Sequence, residues 1–336
     1  MLLQKIKSWD LTWIYGVLAV VAIAVPAWIL GQKVSLIGGP VFGILFGLIL
    51  SGIRKPNEVK KGVGICSKKV LQGAIILIGF GLNMHSVLEV GKQSIVVMIC
   101  TITVCLLAAI LIGKALKVPS NTRTLIGVGT AICGGSAIAA TAPIIDADEG
   151  EVAHAISTIF LFNIIAALIF PTIGRLLGLS DTGFGMFAGT AVNDTSSVVA
   201  AGFAFSDAAG EYATIVKLTR TLMIIPITLF LALRRTSKAK KGGGEGYSLI
   251  RIFPWFVLGF LAASIINTIG VLPVEVTDFL NTAGKFGIVM AMAAIGLNTD
   301  IKGLIANGIK PILLGLCCWI CVALTSLGVQ LALGII

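Results

Sequence analysis

Charge is scarce in this chain. Only 12% of its residues are charged, and acidic residues number 15 against 25 basic ones. With 57% hydrophobic residues and a mean hydropathy of +1.03, a water-soluble globular fold is excluded. Histidine is almost absent: His85 and His154 are expected near the outer surface. No His-Glu pair or pair of aspartates lies inside the apolar runs, so the chain is not expected to be an enzyme. It lacks an ATP-binding loop, so any pumping must draw on an ion gradient. The seven cysteines all fall in apolar runs, and Cys317-Cys318-x-x-Cys321 has no histidine or carboxylate beside it. They read as small helix-packing thiols, and no metal or other cofactor is expected. A net charge of +10 does not imply nucleic acid here, because most of the basic residues sit in the loops between the apolar runs.

What the chain does have is a series of apolar runs, about eleven of them at roughly 20 residues each. They are expected near 11–30, 36–52, 65–84, 93–113, 124–145, 152–173, 183–203, 212–233, 252–270, 278–298 and 311–334. The fold class is an all-α polytopic membrane protein, a single transporter domain over 1–336, with the first span outside the repeated core. Lys5 and Lys7 precede that first span, which is too long for a signal peptide and has no clear cleavage site. Starting with the N-terminus inside, the inner segments collect Lys5 and Lys7, the basic residues of 54–69, Lys114, Lys117, Arg123 and Arg175. They also collect the loop Arg234–Arg251, Lys302 and Lys310, whereas the outer segments hold only Lys33 and Lys92. This asymmetry predicts a multi-pass protein of the cell inner membrane, N-terminus cytoplasmic and C-terminus outside. The acidic run Asp146, Asp148, Glu149 and Glu151 is then expected outside. Loop 234–251, basic and glycine-rich, reads as a flexible cytoplasmic linker touching anionic headgroups.

Two spans carry residues that an anchor would not. In Gly127–Glu151 the pair Gly134-Gly135 sits mid-span and Pro143 follows. Each glycine costs a helix interior about 1 kcal/mol relative to alanine. Irregular backbone survives at membrane depth only where it is buried or lines a polar cavity. The stretch 131–136 is therefore expected to break into half-helices around Cys133, Gly134, Gly135 and Ser136, making a candidate binding site. Span 183–203 carries Asn193-Asp194-Thr195-Ser196-Ser197 at mid-membrane. A carboxylate there costs about 2.5–3.5 kcal/mol on insertion scales. Asp194 is read as an ion-coupling residue, or as the N-cap of a half-helix starting at Thr195; the two roles can coexist. Lys217 and Arg220 share one helical face, and Arg220 offers a planar fork suited to an oxyanion. Asn193, Thr195, Ser196, Lys217 and Arg220 join the first break as substrate-binding candidates, with Asn83, Lys285 and Asn298 as further ones.

Two internal echoes accompany them. Gly81-Leu82-Asn83 matches Gly296-Leu297-Asn298 at the ends of oppositely directed spans, as an inverted repeat requires. Gly129-Thr130-Ala131-Ile132 matches Gly189-Thr190-Ala191-Val192, but those spans are expected to run the same way, so one inversion does not generate both.

The blocks Thr130–Ile145, Asp181–Gly202 and Lys217–Pro226 resemble the signature regions of the YeiH-type family, described as sulfate exporters and grouped with the bile acid/arsenite/riboflavin transporter superfamily. The resemblance covers nearly the whole chain. It implies inverted repeats of five helices, two broken helices crossing near the midplane, and a core moving against a scaffold. On it, Cys133–Ser136 resemble the first crossing. A strict five-helix repeat puts the second near 287–298, whereas the polar motif lies in 183–203. The expected activity is secondary active transport of a small anion, sulfate-like or organosulfonate-like. Cation/proton antiport through Asn193-Asp194 is the alternative. The partners expected are that anion and the lipid bilayer, with no nucleic acid, and a homodimer is compatible with this reading.

Overall fold

A computed structural model describes residues 13–34, 38–52, 56–224, 226–227, 230, 255–299 and 308–336. The loop 234–251 and Lys302 lie outside them. The described residues are helical, with no strand among them. In chain order the helices are α1 (Trp13–Lys33), α2 (Gly39–Leu50) and α3 (Asn57–Ile65), then a π-helical turn (Cys66–Val70) leading into α4 (Leu71–Gly79). There follow α5 (Met84–Ala115), α6 (Ser120–Ala131), α7 (Gly135–Thr141), α8 (Glu149–Leu176), α9 (Asp181–Ala191) and α10 (Thr195–Phe205). The chain continues through α11 (Asp207–Thr221), α12 (Trp255–Ile269), α13 (Val274–Asn298) and α14 (Ile309–Ala332).

Six of these stretches are long and apolar enough to cross a bilayer unaided: Trp13–Lys33, Val59–Gly79, Met84–Ala115, Glu149–Leu176, Val274–Asn298 and Ile309–Ala332. The breaks at 132–134 and 192–194 explain two of the shorter elements. They are true interruptions, as the glycines and the Asn-Asp pair predict, but the segments containing them do not cross.

α6 lies antiparallel to α5, with Gly127 against Ala109 and Gly113 against Arg123. It runs parallel to α8, since Asn121 donates to Glu151 at 3.0 Å and Gly129 meets Ile159. The chain has thus gone inward along α6 and come back through α7 to start α8 where α6 began. A second hairpin does the same from the opposite end. Ser206, just past α10, donates to Asp181 at the start of α9 at 2.6 Å, and Phe184 stacks on Phe205. α9 then runs parallel to α11, with Gly185 at Tyr212 and Gly189 at Val216. Twelve residues of helix rise about 18 Å, a little over half the hydrocarbon thickness, which suits a re-entrant arm and not a crossing.

The expected run of eleven crossing spans is corrected accordingly: segments 124–145 and 183–203 are helical hairpins entering from opposite faces. Asp148 and Glu151 lie on the same face as Lys117 and Arg123, not across from them. Arg175 lies on the other face, donating to the carbonyls of Ala204 and Phe205 at 2.7 and 3.1 Å. Lysines crowd the first face, at the start of α3 and around the α5–α6 connection; it is called the basic face below.

Packing separates the helices into two layers. In one, α1–α4, α12 and α13 pack mainly on one another; in the other, α5–α11 and α14 do. The first layer closes up through small residues. A side-chain carbon on Gly43 of α2 would stand 2.9 Å from the Val289 carbonyl of α13, so only glycine permits that approach. The second layer buries a core from Met98 and Ile102 through Phe170 and Phe184 to Val322, with Trp319 stacked at 3° on Phe170. The two layers touch along α10 with α2 and α13, and along α5 with α12.

Candidate functional site

The hairpin tips meet at the middle of α8. Gly134 takes φ 68° and ψ −126°, a conformation that side chains disfavour, and this lets the chain reverse. A carbon added to Gly134 would lie 3.7 Å from Cβ of Asp194 on the other tip and 3.8 Å from Nδ2 of Asn163. Asn163 of α8 accepts hydrogen bonds from the backbone N–H of Asn193 at 3.1 Å and of Asp194 at 3.2 Å. Sequence reading passed over Asn163; a polar amide inside an otherwise apolar 28-residue helix was the available signal.

Asp194 is the N-cap of α10, accepting from the Ser196 N–H at 3.1 Å and from the Ser196 hydroxyl. The capping role read from Asp-Thr-Ser-Ser is therefore present in the structure. Asp194 is also half-exposed, and the surface it shows lines a cavity.

Lys217 and Arg220 sit on α11 directly behind the tips, both 0% exposed. Lys217 donates to the carbonyls of Ile132 at 2.7 Å and Val192 at 3.0 Å. Arg220 donates through Nε to Ala131 at 2.7 Å, through one terminal nitrogen to Thr130 at 2.9 Å, and through the other to Thr190. These are the carbonyls left without intrahelical donors where α6 and α9 stop. Each helix end carries about half a negative charge, so two cations between two such ends are favourably placed. The second echo now has a physical meaning. Thr130 and Thr190 both serve Arg220, and Ile132 and Val192 both serve Lys217. The segments enter from opposite faces, not in the same direction as the sequence reading had them.

A cavity of about 340 Å³ opens between the tips and the basic face. Its walls are Cys133 and Ser136 from one hairpin, Asp194 and Thr195 from the other, Thr221 at the end of α11 and Ile224 just past it, and Lys69, Gln72, Trp255 and Phe256 from the other layer. Of the sequence candidates, Cys133, Ser136, Asp194 and Thr195 come together there, with Gly134 and Gly135 forming the turn behind them. Asn193 and Ser196 are buried in the adjoining tip. The other three lie elsewhere. Asn83 caps α5, accepting from the His85 N–H at 2.8 Å; Asn298 is exposed at the end of α13; Lys285 pairs with Asp207 at 2.8 Å. Lys69 and Gln72 had read as part of a basic inner segment and an apolar span. The π-helical turn at Cys66–Val70 brings them to the cavity, and such turns are not legible in sequence.

Comparison with known proteins bears on this arrangement. The family described as Conserved hypothetical protein 698 matches residues 15–315, which include both hairpins and every cavity residue. The chain belongs to this family. It is 48% identical over 344 residues to the UPF0324 membrane protein of Fusobacterium nucleatum, covering 96% of this chain and 99% of that one. It is 52% identical to the UPF0324 membrane protein of Streptococcus mutans, covering 95% and 97%. Against that of Streptococcus agalactiae serotype V the identity is 49%, again covering 95% and 97%. The YeiH-type resemblance read from three sequence blocks is borne out at this level, and these relatives are membrane proteins by description.

Proposed function

We propose that this family member is a secondary active transporter of a small anion, with the solute held at the hairpin tips and transport coupled to an ion gradient. The observation that carries the reading is the meeting of two oppositely inserted hairpins mid-molecule, against a cavity open to one face. Interrupted helices at membrane depth are the usual construction of a carrier site. The two hairpins, together with the paired echoes, support an inverted repeat. On this reading no chemical step is catalysed, and the basic face is cytoplasmic, which leaves the C-terminus outside.

A charge count with these side chains ionised supports an anion. Lys217 and Arg220 contribute two positive charges behind the tips and Asp194 one negative charge. The two helix C-termini and two N-termini contribute about half a charge each and cancel. The tips carry a net charge of roughly +1, and Lys69 on the cavity wall adds to it. Lys217 and Arg220 act through their field, because the donor groups traced above are committed to carbonyls. Uptake of sulfate and small organosulfonates into proteoliposomes, with imposed pH or sodium gradients, tests the proposal; no uptake of any anion under any gradient overturns it.

Cation/proton antiport is the second reading. It is favoured by one observation, that the Asp194 carboxylate faces the cavity. Sodium or potassium flux driven by a pH gradient in the same vesicles, without anion movement, would select it.

A further inference from the structure

On the face opposite the basic one, a second cavity of about 140 Å³ lies between the two layers. Trp28, Gln32, Lys285 and Ile288 form its wall on the α1–α4 side, and Phe203 and Asp207 its wall on the hairpin side. Lys285 bridges the two walls at the mouth of the cavity, its side chain 22% exposed and that of Asp207 71% exposed. It pairs with Asp207 at 2.8 Å and lies 5.6 Å from the centre of the Phe203 ring.

Lys285 has a counterpart. α4 and α13 pack side by side in opposite directions, with Gly81 at Asn281, Ile78 at Gly284 and Ala74 at Gly287. The same tripeptide follows the end of α4 and closes α13, Gly81-Leu82-Asn83 and Gly296-Leu297-Asn298. Counting back from those tripeptides, Lys285 stands eleven residues before Gly296 and Lys69 twelve before Gly81. The extra residue falls between Gln72, nine before Gly81, and Ile288, eight before Gly296, where α4 gives way to a turn at 80–82 while α13 stays helical through Asn298. The faces match as well. Lys69 and Gln72 line the first cavity, and Lys285 and Ile288, at the same spacing, line the second.

We infer that Lys69 and Lys285 are an inversion-related pair of anion ligands, one for each face of the membrane, and that the Lys285–Asp207 pair is the closed entrance on the far face. In this conformation Lys69 stands in the cavity open to the basic face, and Lys285 is held by a carboxylate in the place an anion would take. In the opposite conformation Lys285 is released to the solute and the basic side closes. The inference rests on the transport reading for the identity of the solute, but the gate can be tested without it.

The test is the reaction of Ile288→Cys, in the full-length protein in sealed vesicles, with impermeant methanethiosulfonates added at the far face. An anionic ethylsulfonate reagent and a cationic ethyltrimethylammonium reagent are compared, and labelling at position 288 is read by peptide mass. With Asp207 and Glu211 present, both should react slowly. Asp207→Asn, made together with Glu211→Gln because Glu211 is the other carboxylate near Lys285, should raise the anionic rate about tenfold and favour it over the cationic rate, because a lysine freed of both carboxylates in a narrow cleft concentrates anions. Adding Lys285→Gln should keep the cleft open and abolish that preference. Gln32→Cys, on the same cavity, repeats the experiment if Ile288→Cys does not fold. Rates unchanged by the two carboxylate substitutions, or a charge preference that survives Lys285→Gln, overturn the inference. Sulfate uptake by the unmodified protein is measured in parallel. Its absence counts against the anion reading alone, and the labelling rates still decide the gate.

Discussion

Replacing Arg220 separates two roles that sequence alone could not. If the guanidinium is a solute ligand, Arg220→Gln should leave the empty protein as stable as before and remove only binding. The structure points the other way. Arg220 donates to Thr130, Ala131 and Thr190, buried carbonyls at the ends of two half-helices. A hydrogen bond to a charged group is worth about 1.5–3 kcal/mol. Glutamine can replace one of the three and lacks the charge that offsets the helix ends. The expected cost is about 3–5 kcal/mol, the range for removing one partner of a buried charged network. That is a large share of the roughly 5–15 kcal/mol that holds a typical fold together. The assay is thermal unfolding of purified protein in detergent without added solute. At about 2–4 °C per kcal/mol, Tm should fall by roughly 6–20 °C. Arg220→Lys keeps the charge but reaches fewer carbonyls, and should fall between the two. Lys217→Gln combined with Arg220→Gln should cost less than the separate losses added, since both act on the same two helix ends. An Arg220→Gln protein with the Tm of the wild type would refute this reasoning and return Arg220 to the solute.

Three further outcomes are expected. Asp194→Asn keeps a side chain able to cap α10 but cannot titrate, so stability should stay within about 1 kcal/mol of wild type while any proton-driven component of transport is lost; proton-driven flux retained at the wild-type rate would leave Asp194 as a cap alone. Gly134→Ala should cost about 1–3 kcal/mol and impair transport, because its φ of 68° suits glycine, whereas Gly135→Ala, with nothing nearer than 4.0 Å, should be tolerated on both measures. Cysteines placed at Ala147 and Lys117 should be labelled by an impermeant thiol reagent from one face and a cysteine at Leu179 from the other; Ala147 and Lys117 labelling from opposite faces would mean that α6 and α7 cross after all.

The breaks were legible in sequence because their chemistry is local: Gly134-Gly135 cannot sustain a helix, and Asp194-Thr195-Ser196 starts one. The turning back was not legible, for a reason built into charge counting. Removing two crossings, one before α8 and one after it, moves only the connections between them to the other face. Those hold the acidic run 146–151 and Arg175, while every strongly lysine-rich segment stays where it was. Basic asymmetry therefore fits eleven crossings and the hairpin arrangement almost equally well, since acidic residues contribute little to it. The informative signal was the misfit of Gly129–Ile132 with Gly189–Val192, which two parallel spans could not explain and two opposed hairpins do. Arg220 and Lys217 were found by sequence as two cations on one helical face, but the full burial of Lys217 and the partners of both were not, because backbone carbonyls leave no signature in composition.

How access alternates is constrained by that same pair of cations. Lys217 and Arg220 tie α6 and α9 to α11 through bonds to five carbonyls. Drawing the tips apart would strip those buried carbonyls of donors, at several kcal/mol. The hairpins and α11 are therefore expected to move as one body, and the place where movement is cheap is the boundary with the other layer. Both cavities lie on that boundary: Lys69, Gln72 and Trp255 face the tips on the basic side, and Trp28 and Lys285 face Asp207 on the other. A shift of the hairpin body along α4 and α13 that closes one cavity opens its counterpart, with no need to unmake either tip. Cross-linking follows from this. A short bridge between cysteines at Gln72 and Thr195, across the first cavity, should trap the carrier and stop flux. A bridge between the tips themselves, from Cys133 to a cysteine at Thr195, should still let the two cavities open in turn, read as thiol labelling from each face. Labelling frozen by the second bridge and not by the first would mean that the tips, not the boundary, do the moving.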